Sequence, residues 1–339
     1  MRRPRLPRLP RPVVVALRWG VSIGVLVVVV LVLRDRFGAV DAADTGLPAA
    51  WAIAVAVLTS VVANETLVRA WLALVAMGGG HLDRPRGRWV WVSSQLTRYA
   101  MGMAQVASRA VVARRHGLRP TAGAITTLLE VVWYSCLNGL VAVATIPWWL
   151  SGTGLGWAAW LGVAPGLVIA LALVAPQAFL GLTVRLSRLP VLRRVGTLAR
   201  ASDVEVTHRD TARLTLVYTA NFTLRLAGFV ALYVGVGGDP TELGRVVGAF
   251  ALGHLIGALA VFAPGGLGPR EGVTAVVLAP VLGTGPVLML VAMTRLLELA
   301  AELVFAGLAR LRWPPSADPR TSDPVRGGRP DTARSGPAG

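Results

Sequence analysis

Lysine is absent from this sequence, cysteine occurs once and histidine occurs four times in 339 residues. All 34 basic residues are therefore arginine, and with 17 acidic residues they give a formal net charge of +17. A single cysteine, Cys136, excludes a disulfide framework and a thiolate metal cluster. Four scattered histidines make no metal-binding set, so we expect no metal and no cofactor. His254 lies in an apolar run and could act as a ligand or proton relay.

Apolar residues are abundant: 54% of the chain is hydrophobic, only 15% is charged and the mean hydropathy is +0.62. These values lie outside the range of soluble globular domains and predict an all-α, polytopic helical membrane protein. The sequence contains neither a nucleophile paired with a base nor a metal-binding pattern. Nothing in it therefore indicates an intramembrane enzyme, and we expect no enzymatic activity. The arginines cluster between apolar runs, which favours anionic lipid headgroups over nucleic acid as their partners.

Apolar runs of membrane-crossing length predict about six full spans. They cover residues 13–33, 48–77, 122–149, 157–183, 211–236 and 286–311. A cleaved signal peptide is the alternative for the first run, but the run is longer than a signal core. The predicted transmembrane domain, 13–312, follows a basic segment, 1–12, and precedes a Pro-, Gly-, Ser- and Arg-rich tail, 313–339, which we expect to be disordered.

The stretch from Phe262 to Glu271 separates two apolar runs with two prolines and three glycines, and it ends in adjacent opposite charges. A helix cannot continue through it unbroken. Each flanking run, 246–261 and 273–282, is too short to cross about 30 Å of hydrocarbon alone. The pattern predicts two half-helices that meet inside the membrane and line a cavity; the alternative is a tight loop between spans. A mixed pattern at 89–115 predicts a second, re-entrant pair.

Arginine-rich loops mark the cytoplasmic side of a membrane protein. The basic loops predicted at 84–88 and 185–209, with the basic N-terminus and tail, place both termini in the cytoplasm. The two halves, about 13–150 and 157–312, then have opposite orientations. Three collinear matches support an inverted repeat: Ala63–Leu67 with Ala220–Leu224, Tyr99–Gly102 with Phe262–Gly265, and Thr126–Glu130 with Thr294–Glu298. Many transporters build a central site from inverted repeats with broken helices.

Ionisable residues within apolar spans are costly and usually face a cavity or one another. Arg295, Glu298 and Glu302 recur at spacings that place them on one helical face. The residues predicted to line the cavity are Glu130, Gly265, Gly266, Gly268, Arg270, Glu271, Arg295, Glu298 and Glu302. Further candidates are Asn64, Arg98, Arg109, Asn221 and Arg225. The alternative is that Arg295 and Glu298 form an intrahelical pair that only fixes helix packing.

Phe262 to Glu271, and more widely His254 to Leu278, resembles the signature of the lysylphosphatidylglycerol synthase transmembrane, or flippase-like, family. The stretch from Leu96 to Arg109 is similar to that family's earlier motif, although Met101 stands where proline is usual. The resemblance covers roughly residues 10–312.

The resemblance implies an integral protein of the bacterial cell (inner) membrane that acts on lipids or lipid-linked sugars. Lysylphosphatidylglycerol synthetases add a soluble aminoacyl-transferase domain, for which this chain has no room, so we expect no aminoacylation. We predict a flippase-like protein that binds and translocates a lipid or lipid-linked headgroup through a central polar cavity. The alternative is a non-transporting membrane partner of a separate lipid-modifying enzyme or glycosyltransferase.

Overall fold

A computed structural model describes most of the predicted transmembrane domain. The described residues are 47–99, 104–150, 207–260, 263–266 and 268–312, with Leu167, Leu171 and Ala175. Apart from those three single residues, the predicted spans at 13–33 and 157–183 lie outside the described residues, as do the segments 1–12 and 313–339. Within the described ranges every regular element is helical and there is no strand, which confirms the all-α prediction.

Nine α-helices and three 3-10 turns make up the described part of the chain. The first half contains α1 (Ala50–Met77), α2 (Arg84–Gln95), a 3-10 turn (Leu96–Tyr99), α3 (Ala104–Arg115), α4 (Pro120–Ala144) and α5 (Ile146–Trp149). The second half contains α6 (His208–Gly235), a 3-10 turn (Pro240–Glu242), α7 (Leu243–Leu259), a 3-10 turn (Pro264–Gly266), α8 (Pro269–Leu282) and α9 (Thr284–Arg312). We call Leu96–Tyr99 the first break and Pro264–Gly266 the second break.

Local sequence explains where several helices begin. Proline stands in the first turn of α2, α4 and α8, where its missing N–H has no helical partner to lose. Thr207 and Asp210 form a capping box at the start of α6, each side chain accepting from the other's backbone N–H at 3.2 Å. Because α2 begins at Arg84, the three arginines of 84–88 belong to a helix and not to the predicted loop.

Helix packing joins the two halves along several interfaces. α1 and α6 pack along one another, and Gly228 allows the approach because a Cβ there would lie 3.1 Å from Ala56 Cα. α4 packs against α7, while α9 packs against α2. The second long helix of each half therefore contacts the first short helix of the other half.

Among the described residues, four helices are long and apolar enough to cross a membrane. They are α1, residues 122–144 of α4, α6, and the unit Pro240–Leu259 that the 3-10 turn forms with α7. The last unit corrects our expectation that the run 246–261, before the second break, is too short to cross the membrane. The helix begins before Val246, and the unit has 20 residues. α9, which matches the predicted span 286–311, has 29 residues and is not among the four.

Asp239 explains the early start of that unit. Its Oδ1 accepts a hydrogen bond from the Thr241 backbone N–H at 2.8 Å. Hydrogen bonds from Thr241 also hold the pKa of Asp239 below its ordinary value. The cap fixes the chain at Asp239, four residues before α7 begins at Leu243, a signal that hydropathy alone does not carry.

Candidate functional site

The first and second breaks touch each other. A Cβ on Gly265 would lie 3.1 Å from Cδ1 of the Tyr99 ring. Gly265, Gly266 and Gly268 have φ of 60°, 71° and 92°, in the left-handed region that favours glycine. A Cβ on Gly266 would also lie 2.9 Å from the Gly257 carbonyl oxygen. The prediction of non-helical backbone at these glycines is confirmed.

A cavity of about 240 Å³ adjoins the two breaks. This far exceeds the roughly 10 to 15 Å³ that one water molecule requires. Its polar wall consists of Gln95, Arg98, Gln105, Glu130, Tyr134, Arg225, His254, Arg270, Arg295 and Glu298, with the backbone of Gly265 and Gly266. These residues come from both halves and from seven of the helices as well as both breaks, so the cavity lies at the junction of the halves.

Glu298, near the middle of α9, is the acidic centre of the cavity wall. Arg270 donates to it through both terminal nitrogens, Nη1 to Oε2 at 2.9 Å and Nη2 to Oε1 at 2.8 Å. This paired geometry is the strong form of an arginine–carboxylate contact. Arg295 Nη1 lies 3.4 Å from Oε2, and Arg225 Nη1 lies 4.0 Å from Oε1. Three arginines therefore surround one carboxylate.

Arg295 connects α9 to the second break and to α8. Its Nε donates to Glu271, and its Nη2 donates to the Gly265 carbonyl oxygen at 3.1 Å. Glu271 also accepts from the Gly268 backbone N–H at 2.7 Å, so it caps the start of α8. Arg295 and Glu298 are thus not a self-contained intrahelical pair, because each has its nearest ionic partner on α8.

Arg109 and Glu130 form the corresponding pair in the first half. Arg109 is fully buried, and its Nη1 donates to Glu130 Oε2 at 2.5 Å. Its Nε donates to the Ser94 hydroxyl at 2.9 Å, and its Nη2 donates to Gln95 Oε1 at 3.0 Å. All three kinds of guanidinium nitrogen are therefore satisfied, and Glu130 is held at the wall by an arginine behind it.

Two asparagines connect α1 and α6 near the midpoints of these 28-residue helices. Asn221 Nδ2 donates to the Ala63 carbonyl oxygen at 2.7 Å and to the Thr66 hydroxyl at 2.9 Å. Arg225 Nη2 donates to Asn64 Oδ1 at 2.9 Å, which orients the guanidinium toward Glu298. Both asparagines therefore lie behind the wall, where Asn221 joins the two helices and Asn64 positions Arg225, which is on the wall.

Arg98 of the first break reaches across to α9. Its Nη2 donates to the Tyr99 hydroxyl at 2.9 Å and to Glu302, whose side chain is only 1% exposed. Glu302 lies about one turn beyond Glu298 and is engaged by a different arginine. The ion pair ties the first break to the same helix that Arg295 ties to the second break.

The structure divides the predicted site residues between the cavity wall and a supporting layer. On the wall are Arg98, Glu130, Arg225, Gly265, Gly266, Arg270, Arg295 and Glu298. Outside it are Asn64, Arg109, Asn221, Gly268, Glu271 and Glu302. Gly268, Glu271 and Glu302 were predicted to line the cavity. Instead Gly268 and Glu271 form the cap of α8, and Glu302 pairs with Arg98. The prediction missed Gln95, Gln105 and Tyr134, although both glutamines flank the first break in sequence.

Within the described ranges, no group of three His, Cys, Asp or Glu side chains is placed to hold a metal ion. Comparison of the chain with protein-family models and with curated proteins finds no match.

Proposed function

We propose that this chain is a flippase-like integral membrane protein that binds and translocates a lipid or lipid-linked headgroup through the cavity. The observation that carries the proposal is the contact of two helix breaks beside a charged cavity drawn from both halves. Non-helical backbone within a membrane is tolerated where it borders protein or a water-filled space. Charges at that depth commonly mark a substrate pathway.

The depth of the charges supports this function. Asn64 and Asn221 lie near the midpoints of helices long enough to cross a membrane. Through Arg225, Asn64 connects to Glu298, which is itself near the middle of the 29-residue α9. A headgroup would thus meet polar partners near the centre of the bilayer, where exposure to hydrocarbon is most costly.

The arrangement of elements supports an inverted repeat of six full spans and two broken helix pairs. In each half a helix of 28 residues is followed by a shorter helix of 12 or 17 residues, a break, a helix of 12 or 14 residues and a second long helix of 25 or 29 residues. In each half an arginine after the break pairs with a buried glutamate on the next long helix, Arg109 with Glu130 and Arg270 with Glu298. Such repeats give transporters a site that can open to either side.

The charges on the wall suit a headgroup that carries an anionic group. Four arginines face two glutamates there, and the Glu298 carboxylate is already shared by three of the arginines. The resemblance to the flippase-like family agrees with a lipid or lipid-linked substrate in a bacterial inner membrane. In this proposal both termini are cytoplasmic and the acyl chains remain in the bilayer, outside the cavity.

A leaflet-sidedness assay in proteoliposomes tests the proposal. Vesicles contain phosphatidylglycerol with a fluorophore on its headgroup, and a membrane-impermeant reductant bleaches only the outer leaflet. We expect purified protein to make the inner-leaflet label accessible, and the Arg270→Met/Glu298→Gln double variant to lose this activity. Retention of the inner-leaflet signal, with lipid nevertheless co-purifying in mass spectrometry, would favour the non-transporting partner. If the protein shows no translocation and no lipid co-purifies with it, both functions are contradicted.

A further inference from the structure

His254 is a buried histidine of α7 that faces the cavity with one of its two ring nitrogens. Nδ1 lies 2.8 Å from the Phe250 carbonyl oxygen, one turn earlier on the same helix. A carbonyl oxygen only accepts hydrogen bonds, so Nδ1 carries a hydrogen whether the ring is neutral or charged. The proton that is gained or lost therefore belongs to Nε2.

Nε2 points at the most crowded carboxylate of the cavity. It lies 4.0 Å from Glu298 Oε1, which is too far for a hydrogen bond. The same oxygen accepts from Arg270 Nη2 at 2.8 Å and lies 4.0 Å from Arg225 Nη1. A shift of roughly 1 Å would allow a protonated Nε2 to donate to Glu298. The ring is thus poised to join the ionic cluster when it gains a proton.

The charged and titratable groups that face this ring come from several packed elements. They are Tyr134 of α4, whose ring meets the imidazole edge-on at 5.9 Å, Arg225 of α6, Arg270 of α8 and Glu298 of α9. Arg295 adds a further positive charge on the far oxygen of Glu298, and Glu271 of α8, which lines a small pocket with His254, pairs with Arg295. Glu242 lies at the opposite end of α7 and pairs with Arg245. Positive charge therefore exceeds negative charge around Nε2.

A proton on Nε2 adds another positive charge to this surplus, which is unfavourable while the cavity holds no anion. An anionic group beside Arg225 and Arg270 would offset this surplus and so favour the protonated ring relative to the empty cavity. We propose that His254 is a proton-binding site whose occupation is coupled to binding of an anionic headgroup in the cavity. Coupling between two binding events is reciprocal, so protonation strengthens anion binding by the same factor.

This inference rests on the proposed function and adds a second ligand, the proton. One proton and one anionic headgroup enter the cavity together, so the cargo is neutral as a pair. Moving a neutral pair through the membrane avoids work against the transmembrane potential. A proton gradient can then bias the direction in which the lipid moves, because the side with more protons loads the cavity more fully.

Calorimetric titration of the full-length protein in detergent tests the coupling. The probe is dioctanoyl phosphatidylglycerol, whose phosphodiester keeps one negative charge between about pH 6 and about pH 8, the range in which an ordinary histidine titrates. Each titration is repeated in two buffers of different ionisation enthalpy, which gives the number of protons taken up per lipid bound. We expect proton uptake, and affinity that rises on acidification by at most about tenfold per pH unit, the limit for one proton.

The His254→Asn variant keeps an amide donor for the Phe250 carbonyl but cannot titrate. We expect it to bind the lipid with little dependence on pH and without proton uptake, whereas the exposed His81→Asn control behaves like the unaltered protein. If His254→Asn fails to fold, His254→Gln decides the same question. Proton uptake that is present in the unaltered protein and lost in His254→Gln supports the inference, and proton uptake that persists in His254→Gln overturns it. Lipid binding without proton uptake would overturn this inference alone. A folded protein that binds no lipid at any pH would overturn the proposed function as well.

Discussion

Tyr99 packs against Gly265, so the helix breaks of the two halves meet at one side of the charged cavity. The contact leaves no room for a larger side chain at Gly265, whose backbone φ is also positive. Arg98 and Arg295 tie these same breaks to a single helix, α9. Movement of α9 would therefore be transmitted to both breaks.

Gly266 is the most constrained glycine of the second break. We expect Gly266→Ala to destabilise the protein by about 1–3 kcal/mol, because it strains a left-handed backbone and places a Cβ 2.9 Å from the Gly257 carbonyl oxygen. Gly272→Ala is the matched control, since a Cβ there meets nothing within 4 Å. Thermal unfolding in detergent compares the two. Equal melting temperatures would show that the break tolerates ordinary residues.

Single and double variants of the Arg270–Glu298 pair distinguish an effect on stability from an effect on function. Arg270→Met alone leaves a buried carboxylate without its main partner, and we expect a loss of about 3–5 kcal/mol. Adding Glu298→Gln removes that charge and should restore much of the stability while lipid translocation stays low. The partly exposed pair Arg245 and Glu242, changed in the same way, should cost no more than about 1 kcal/mol. Full translocation by the folded double variant would remove this pair from the site.

Arg109 should not be replaceable by lysine. Its three contacts use nitrogens in a fixed planar fork, and a single ammonium cannot reproduce them. We expect Arg109→Lys to destabilise the protein by about 1–3 kcal/mol for each buried acceptor left unpaired. Arg114→Lys, at an exposed position of the same helix, serves as control. Chemical denaturation in detergent measures the stability of both variants. Similar denaturation midpoints for Arg109→Lys and Arg114→Lys would contradict the three-contact geometry of Arg109.

The predicted orientation is tested by reporter fusions beyond Arg312, the last residue of α9. Arginine-rich segments remain on the cytoplasmic side of a membrane, so a reporter active only in the cytoplasm should work there. A second reporter, active only outside the cytoplasm, should be silent at the same fusion point. The reverse pattern would overturn the topology and the inverted-repeat proposal together.

Element boundaries show where local signals were sufficient and where they were misleading. The second break was predictable because Pro264 and the glycines of 265–268 act on their own backbone. The start of α2 was missed because three arginines suggested a loop, while proline in the first turn began a helix among them. α7 was underestimated because the Asp239 cap extends the helical unit into polar sequence.

The amino-acid sequence by itself determined that the protein is an all-helical membrane protein, where the second break falls, and which charged residues lie in apolar runs. Those properties depend on composition and on neighbours within a few residues. The tertiary structure alone decided the pairing of those charges. Spacing predicted that Arg295, Glu298 and Glu302 share a face of α9. Their strongest partners, Glu271, Arg270 and Arg98, are 24, 28 and 204 residues away, and only the packing of distant helices brings them together.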